Sequence, residues 1–140
     1  MHHFRILRAI AVAVAIPLTA NAGDLRVTVS DGPAVPATLY VALFDSAEAL
    51  TAEKALAAQT LPMRDGKAQL VFVGLPPGRY ALKSFADENG NGKLDANLVG
   101  VPIERYGFSN DARGRMGPPT FDAAAVSLEA ADSSIALRLH

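Results

Sequence analysis

Short runs of alternating apolar and polar residues, each cut off by a glycine, proline or aspartate cluster, leave this chain little to fold into except sheets. Leu25-Arg26-Val27-Thr28-Val29 alternates with β-branched residues and reads as a strand. Asp31-Gly32-Pro33 ends it. Ala37 to Phe44 (ATLYVALF) is a denser apolar strand of the kind buried on both faces. Arg64-Asp65-Gly66-Lys67 is a turn, and Ala68 to Val73 is the next strand. Leu75-Pro76-Pro77-Gly78 then joins it to the strand Ala81 to Ala86 as a hairpin-like pair, proline fixing φ and glycine supplying the strained position. Phe121 to Leu128 and Ser133 to Leu139 read as two closing strands, with Ile135, Leu137 and Leu139 on one face of the last. One stretch reads as helix: Asp45 caps it, Glu48 reaches back, and alanine-rich sequence runs to Ala58. Val99 to Thr120 is long, irregular and rich in glycine and proline, which marks a functional or tightly packed loop. The fold class this predicts is all-β: an antiparallel β-sandwich of about seven strands with one short helix and a long irregular loop.

Domain limits follow from the beginning of the chain. Arg5 and Arg8 precede the apolar run Ala9 to Ile16, and Ala20-Asn21-Ala22 has the small residues a signal peptidase reads. That is the pattern of a Sec-type secretory signal over residues 1–22, with too short an apolar run to span a bilayer. Cleavage after Ala22 leaves 118 of the 140 residues, 23–140, as a single β-sandwich domain. Losing Arg5 and Arg8 takes the basic count from 13 to 11 against 14 acidic residues, a net charge of −3. An acidic surface argues against nucleic acid as a partner. No later run approaches the length of a membrane span. Cysteine is absent, so neither a disulfide nor a lipid anchor on cysteine is available. Of three histidines only His140 lies beyond the signal, which removes Ser-His-Asp chemistry and histidine-rich zinc sites.

The polar stretch Asp87-Glu88-Asn89-Gly90-Asn91-Gly92-Lys93-Leu94-Asp95 carries the main candidate site. Asp87, Asn89, Asn91, Lys93 (through its carbonyl) and Asp95 occupy positions one, three, five, seven and nine of a calcium-loop pattern, with Gly92 at the sharp turn. Hard oxygen ligands at flexible geometry suit calcium. Position twelve is Leu98 rather than a glutamate, and strands rather than helices flank the loop. Water or a distant carboxylate such as Glu104 or Asp111 would have to complete the shell, which implies weak affinity, on the order of 10⁻⁴ M. Asn89-Gly90 and Asn91-Gly92 are equally favoured tight-turn dipeptides, so a metal-free turn accounts for the same residues.

A second cluster, Glu104, Arg105, Tyr106, Phe108, Ser109 and Asn110, offers a ligand surface of aromatics and charges, or pins the long loop onto the sandwich. Paired carboxylates among Asp87, Asp95, Glu104, Asp111 and Asp122 leave open a small hydrolase acting on envelope glycans or esters, but no spacing selects a pair.

Four ordered motifs carry a resemblance: Leu75-Pro-Pro-Gly-Arg-Tyr80, Asp87 to Asp95, Gly100-Val-Pro-Ile-Glu-Arg-Tyr-Gly-Phe-Ser-Asn110 and Gly117-Pro-Pro-Thr-Phe-Asp-Ala123. Together they resemble the bacterial secreted family of domain of unknown function 2141, and the resemblance implies a transthyretin (prealbumin)-like or carboxypeptidase-regulatory-like β-sandwich. The histidine site of the transthyretin-like urate-pathway hydrolase has no counterpart in a chain ending Leu137-Arg138-Leu139-His140. The expectation is a non-enzymatic, exported binding or structural module, periplasmic or secreted, with an envelope or extracellular partner.

Overall fold

The computed structural model describes residues 22–140. The secretory segment expected over residues 1–22 lies, but for Ala22, outside them. Among the described residues eight strands form two sheets. In the smaller, β1 (Gly23–Ser30) lies between β4 (Ala68–Leu75) and β8 (Ser133–Arg138). In the larger, β3 (Ala57–Met63), β2 (Ala37–Phe44), β5 (Gly78–Asp87) and β6 (Tyr106–Phe108) follow one another. β7 (Val126–Leu128) pairs with the first half of β5, ahead of β6 on the same edge. All pairs are antiparallel except β1 with β8, which is parallel.

Period-two alternation fixes what faces inward. Leu25, Val27 and Val29 of β1 meet Leu39, Val41 and Leu43 of β2 in the interior, with Leu70, Phe72, Leu82 and Leu137, all buried. The predicted face of the last strand is there too, although Ile135 lies at its half-buried margin. Met63 closes one end of this core, and Tyr80, whose hydroxyl donates to the Pro76 carbonyl at 2.6 Å, stands at the crossing between the sheets.

Three sequence expectations change. Leu75-Pro76-Pro77-Gly78 is not a hairpin: it carries the chain from the smaller sheet to the larger, since β4 pairs with β1 and β5 with β2. The left-handed glycine there is Gly74 (φ 69°), not Gly78. The helix is shorter than alanine propensity suggests. α1 spans Ala47–Thr51, capped by Ser46, whose hydroxyl accepts from the Ala49 amide at 3.1 Å. Beyond it, Ala57–Met63 gains a full ladder of hydrogen bonds on the edge of β2, and tertiary pairing outweighs a weak helical preference. Pro62 is tolerated because β3 is an edge strand. The expected strand from Phe121 to Leu128 is instead a helical turn, α2 (Phe121–Ala124), followed by β7. Thr120 caps that turn, and Phe121 and Ala124, three residues apart, bury against Phe108 and Ala81. Among the described residues no helix is long and apolar enough to cross a membrane.

Candidate functional site

The outer face of the larger sheet is built from cross-strand rows. β2 and β5 place Thr38 opposite Asp87, Tyr40 opposite Phe85, Ala42 opposite Lys83, and Phe44 opposite Ala81. Directly opposed residues of an antiparallel pair project to the same side, and Leu39, Val41 and Leu43 take the other. The Tyr40 and Phe85 rings stack with centroids 4.9 Å apart and their planes nearly parallel. α2 and β6 cover the Ala81 end through the buried cluster of Ala81, Phe108, Phe121 and Ala124.

The opposite end is closed by the polar loop. Asp87, the last residue of β5, is 2 % exposed. Its Oδ1 accepts from the amides of Asn89 (3.3 Å) and Gly90 (3.0 Å), and its Oδ2 from Gly92 (2.8 Å). Burial pushes its pKa up, but the backbone amides of Gly92, Gly90, Asn89 and Asn91 outweigh burial and hold it below the ordinary 3.8. Gly90 (φ 77°) and Gly92 (φ 72°) take the left-handed conformations that turn those amides inward.

Glu104 is the second buried carboxylate, 6 % exposed. Its Oε2 accepts from the Glu88 amide at 2.8 Å and its Oε1 from the Asp95 amide at 3.0 Å. It therefore reaches the polar loop, but by gripping both ends of its backbone. Between those ends the side-chain amides of Asn89 and Asn91 donate to Asp95, the second at 2.6 Å. The Asn89 and Asn91 carbonyl oxygens accept from the amides of Asn91 (3.2 Å) and Lys93 (3.0 Å). The loop is thus closed by its own hydrogen bonds. The Asn89 and Asn91 side-chain NH2 groups and the Asp95 carboxylate meet at one point, while the two asparagine oxygens face the backbone amides of Asn91 and Lys93; a hard cation there would need both side-chain amides turned over to present their oxygens. Among the described residues no three His, Cys, Asp or Glu side chains gather as a metal cluster, so an ion here would rely on asparagine oxygens and carbonyls. Asp111 lies away from the loop, against His140 at 2.5 Å.

The second cluster divides. Tyr106 lines a cavity on the outer face. Phe108 also borders that cavity, from a position 2 % exposed in the α2 cluster. Ser109 is buried, accepting from the Leu82 amide at 2.9 Å and donating to the Ala124 carbonyl. Asn110, at φ 59°, donates to the Ala125 carbonyl at 2.7 Å. Arg105 points to the Asp31 carbonyl at 2.9 Å. Ser109, Asn110 and Arg105 pin the long segment in place. Gly107 allows the same docking, because a Cβ there would stand 2.0 Å from the Arg138 carbonyl oxygen.

What the sequence motifs did not single out is the groove between these layers. Three cavities of about 530, 590 and 420 Å³ lie over the outer face, and all three have Lys83 and Glu53 in their walls. The first runs over Tyr40, Ala42 and Phe85 to the polar loop, and the last reaches Phe121. The Lys83 ammonium is 3.3 Å from Glu53. Val99 and Met116, 81 % and 103 % exposed, border the second cavity. The available signal was the unbroken apolar run ATLYVALF: a strand with one face in the core needs no Tyr40, Ala42 and Phe44 on the other unless that face is covered too.

The model of the family described as uncharacterized protein conserved in bacteria (DUF2141) matches residues 27–136, and the chain belongs to that family. No curated protein and no solved structure matches it.

Proposed function

We propose, from the premise of a bacterial family described only as uncharacterized, that the protein is a non-enzymatic binding module of the cell envelope. Residues 1–22 export it, and the outer face of the larger sheet is its binding surface. The groove over the Tyr40–Phe85 and Ala42–Lys83 rows carries this reading. It is concave, floored mainly by aromatic and aliphatic side chains, with Lys83, Lys93 and Glu53 as its charged groups, the mixture small-ligand sites use. Exposed Leu98, Val99, Val101, Ile103 and Met116 stand on the two segments that wall it, and apolar groupings of that kind mark interaction surfaces. Asp87 and Glu104 support a binding rather than a catalytic role, since each has both oxygens accepting from backbone amides; of the two Asp87 oxygens only Oδ2, which accepts from the single Gly92 amide, keeps a lone pair for a cation.

Calcium completes the proposal. Asp87, Asn89, Asn91, Asp95 and the Lys93 carbonyl would hold it, and its charge would stiffen the wall of the groove. With two carboxylates in the set, affinity falls on the order of 10⁻⁴ M. Millimolar calcium should then raise the melting temperature relative to chelator, and Asp95→Ala should abolish the rise; coincident curves for the unsubstituted protein would remove the metal. The binding surface has its own test. An uncharged apolar probe, 1-decanol, should shift the amide resonances of Tyr40, Ala42, Lys83 and Phe85 and leave those of β1, β4 and β8 in place. Shifts on the smaller sheet, or none anywhere, would overturn it.

A further inference from the structure

We infer that the groove takes an anionic amphiphile: one acyl chain lying over the Tyr40–Phe85 and Ala42–Lys83 rows, with its carboxylate on Lys83. The inference rests on the binding-surface reading and deepens it. Three observations lead to it.

The first concerns the body of the ligand. The floor is the face of a sheet, and the backbone groups of β2 and β5 are paired in its plane. It offers side chains but no free ladder of amides and carbonyls. A peptide laid there would bury its own main chain without partners, a costly arrangement that peptide-binding sheets avoid by using an edge. A hydrocarbon chain has no such groups to satisfy.

The second concerns shape. The cavities are strung along the face and meet at Lys83, so the space is long rather than round. Ala42, the small residue opposite Lys83, leaves the floor low at the centre, between the stacked Tyr40–Phe85 pair and Phe44. Val99 and Met116 form an apolar lip over which a tail can pass.

The third concerns charge. Among the described residues, Lys83, Lys93 and Arg115 line the cavities against the single carboxylate of Glu53, in a chain whose formal net charge is −1. The Lys83 side chain is 26 % exposed and its partner Glu53 is 74 % exposed. Such an open pair holds weakly, so an incoming carboxylate can displace Glu53 and take the ammonium. The carboxylate-to-ammonium contact needs no covalent step.

Matched titrations of the protein with decanoate, below its aggregation limit, and with 1-decanol test this. One decanoate should bind per chain, about tenfold more tightly than 1-decanol. Lys83→Met should bring decanoate down to the level of 1-decanol and leave 1-decanol unchanged. Glu53→Gln, which removes the competing carboxylate, should tighten decanoate. Ala42→Trp should block both probes in a variant that melts like the parent. Equal affinity for the two probes, a Lys83→Met change that weakens both alike, or decanoate binding that survives Ala42→Trp overturns the inference. If 1-decanol occupies the groove but decanoate gains nothing, the inference falls and the binding surface stands. If neither enters the groove, both fall.

Discussion

The two sheets share one interior but have different outer faces. On the smaller sheet, Arg26 and Thr28 of β1 stand beside Gln69 and Val71 of β4 and Ser134 and Ala136 of β8. Most of that face is polar, and among the described residues no other layer lies over it. On the larger sheet the equivalent positions include Tyr40, Ala42, Phe44 and Phe85 beside Lys83, with Phe108 of the edge strand β6 on the same face, and the chain folds back over them with α2 and the Asp87–Pro102 segment. A sandwich needs one apolar face per sheet. The second apolar face exists only where something covers it, and here the cover is partial, held in place by buried carboxylates and leaving a groove.

If the cover is a packed layer, removing its anchor should cost as much as a core residue. Phe108 joins Ala81, Phe121 and Ala124 at 2 % exposure. Phe108→Ala should lower unfolding stability by about 3–5 kcal/mol, the usual range for a buried phenylalanine, measured by denaturant unfolding. A loss under about 0.5 kcal/mol, the level of a surface substitution, would mean that the layer is draped rather than packed, and the contrast between the faces would vanish.

The interior was readable in the sequence because a strand with one buried face writes that face as alternation: Leu25-Val27-Val29 and Leu137-Leu139 lie where period two puts them. The outer layer was not. Phe121 and Ala124 are three apart and bury as a helical turn, but the eight residues from Phe121 to Leu128 are apolar enough to read as one strand. Ala57–Met63 became β3 because an open edge of β2 was waiting for it, a fact no local propensity contains. The loop Asp87–Asp95 was legible as a polar turn closed by its own Asn and Asp side chains. That Glu104 would clamp its two ends was not, because the bonds run from side chain to backbone across a gap of up to 16 residues. Lys83 looked like an ordinary strand residue until β2 supplied Ala42 opposite it.

Next in size is the polar half of the cover. Glu104→Ala leaves the Glu88 and Asp95 amides without acceptors. The expected loss is about 2 kcal/mol, concentrated locally: hydrogen exchange at Glu88 and Asp95 should accelerate while amides of β1 and β2 keep their protection. Uniform acceleration across both sheets would show that the loop belongs to the core's cooperative unit.

Acid probes the same wall more gently. The Asp87 pKa is depressed in the folded protein, so its contribution is complete above the ordinary value of 3.8 and is lost as pH falls through the lower folded value. Asp111, held down chiefly by its hydrogen bond to His140, shifts in the same direction at the chain end. Amide protection at Asn89, Gly90 and Gly92 should therefore fade below about pH 4, before the core unfolds, and Asp87→Asn should remove that step while leaving any contribution from Asp111. Fading that begins well above pH 5 would point to a different titrating group.

The smallest effect belongs to the bare face and completes the contrast. Arg26 projects outward between Val71 and Ser134, exposed. If that face meets only water, Arg26→Ala should change stability by less than about 0.5 kcal/mol and leave the 1-decanol shifts on β2 and β5 unaltered. A guanidinium stem can also cover neighbouring apolar surface, and Val71 beside it is the residue it would cover. The double substitution Arg26→Ala with Val71→Thr separates the two cases, because it removes both the stem and what the stem could shield. Additive small losses mean that the smaller sheet turns a solvated back to the groove. A coupled loss near 1 kcal/mol or more would mean that this face, too, is packed, by a contact of its own.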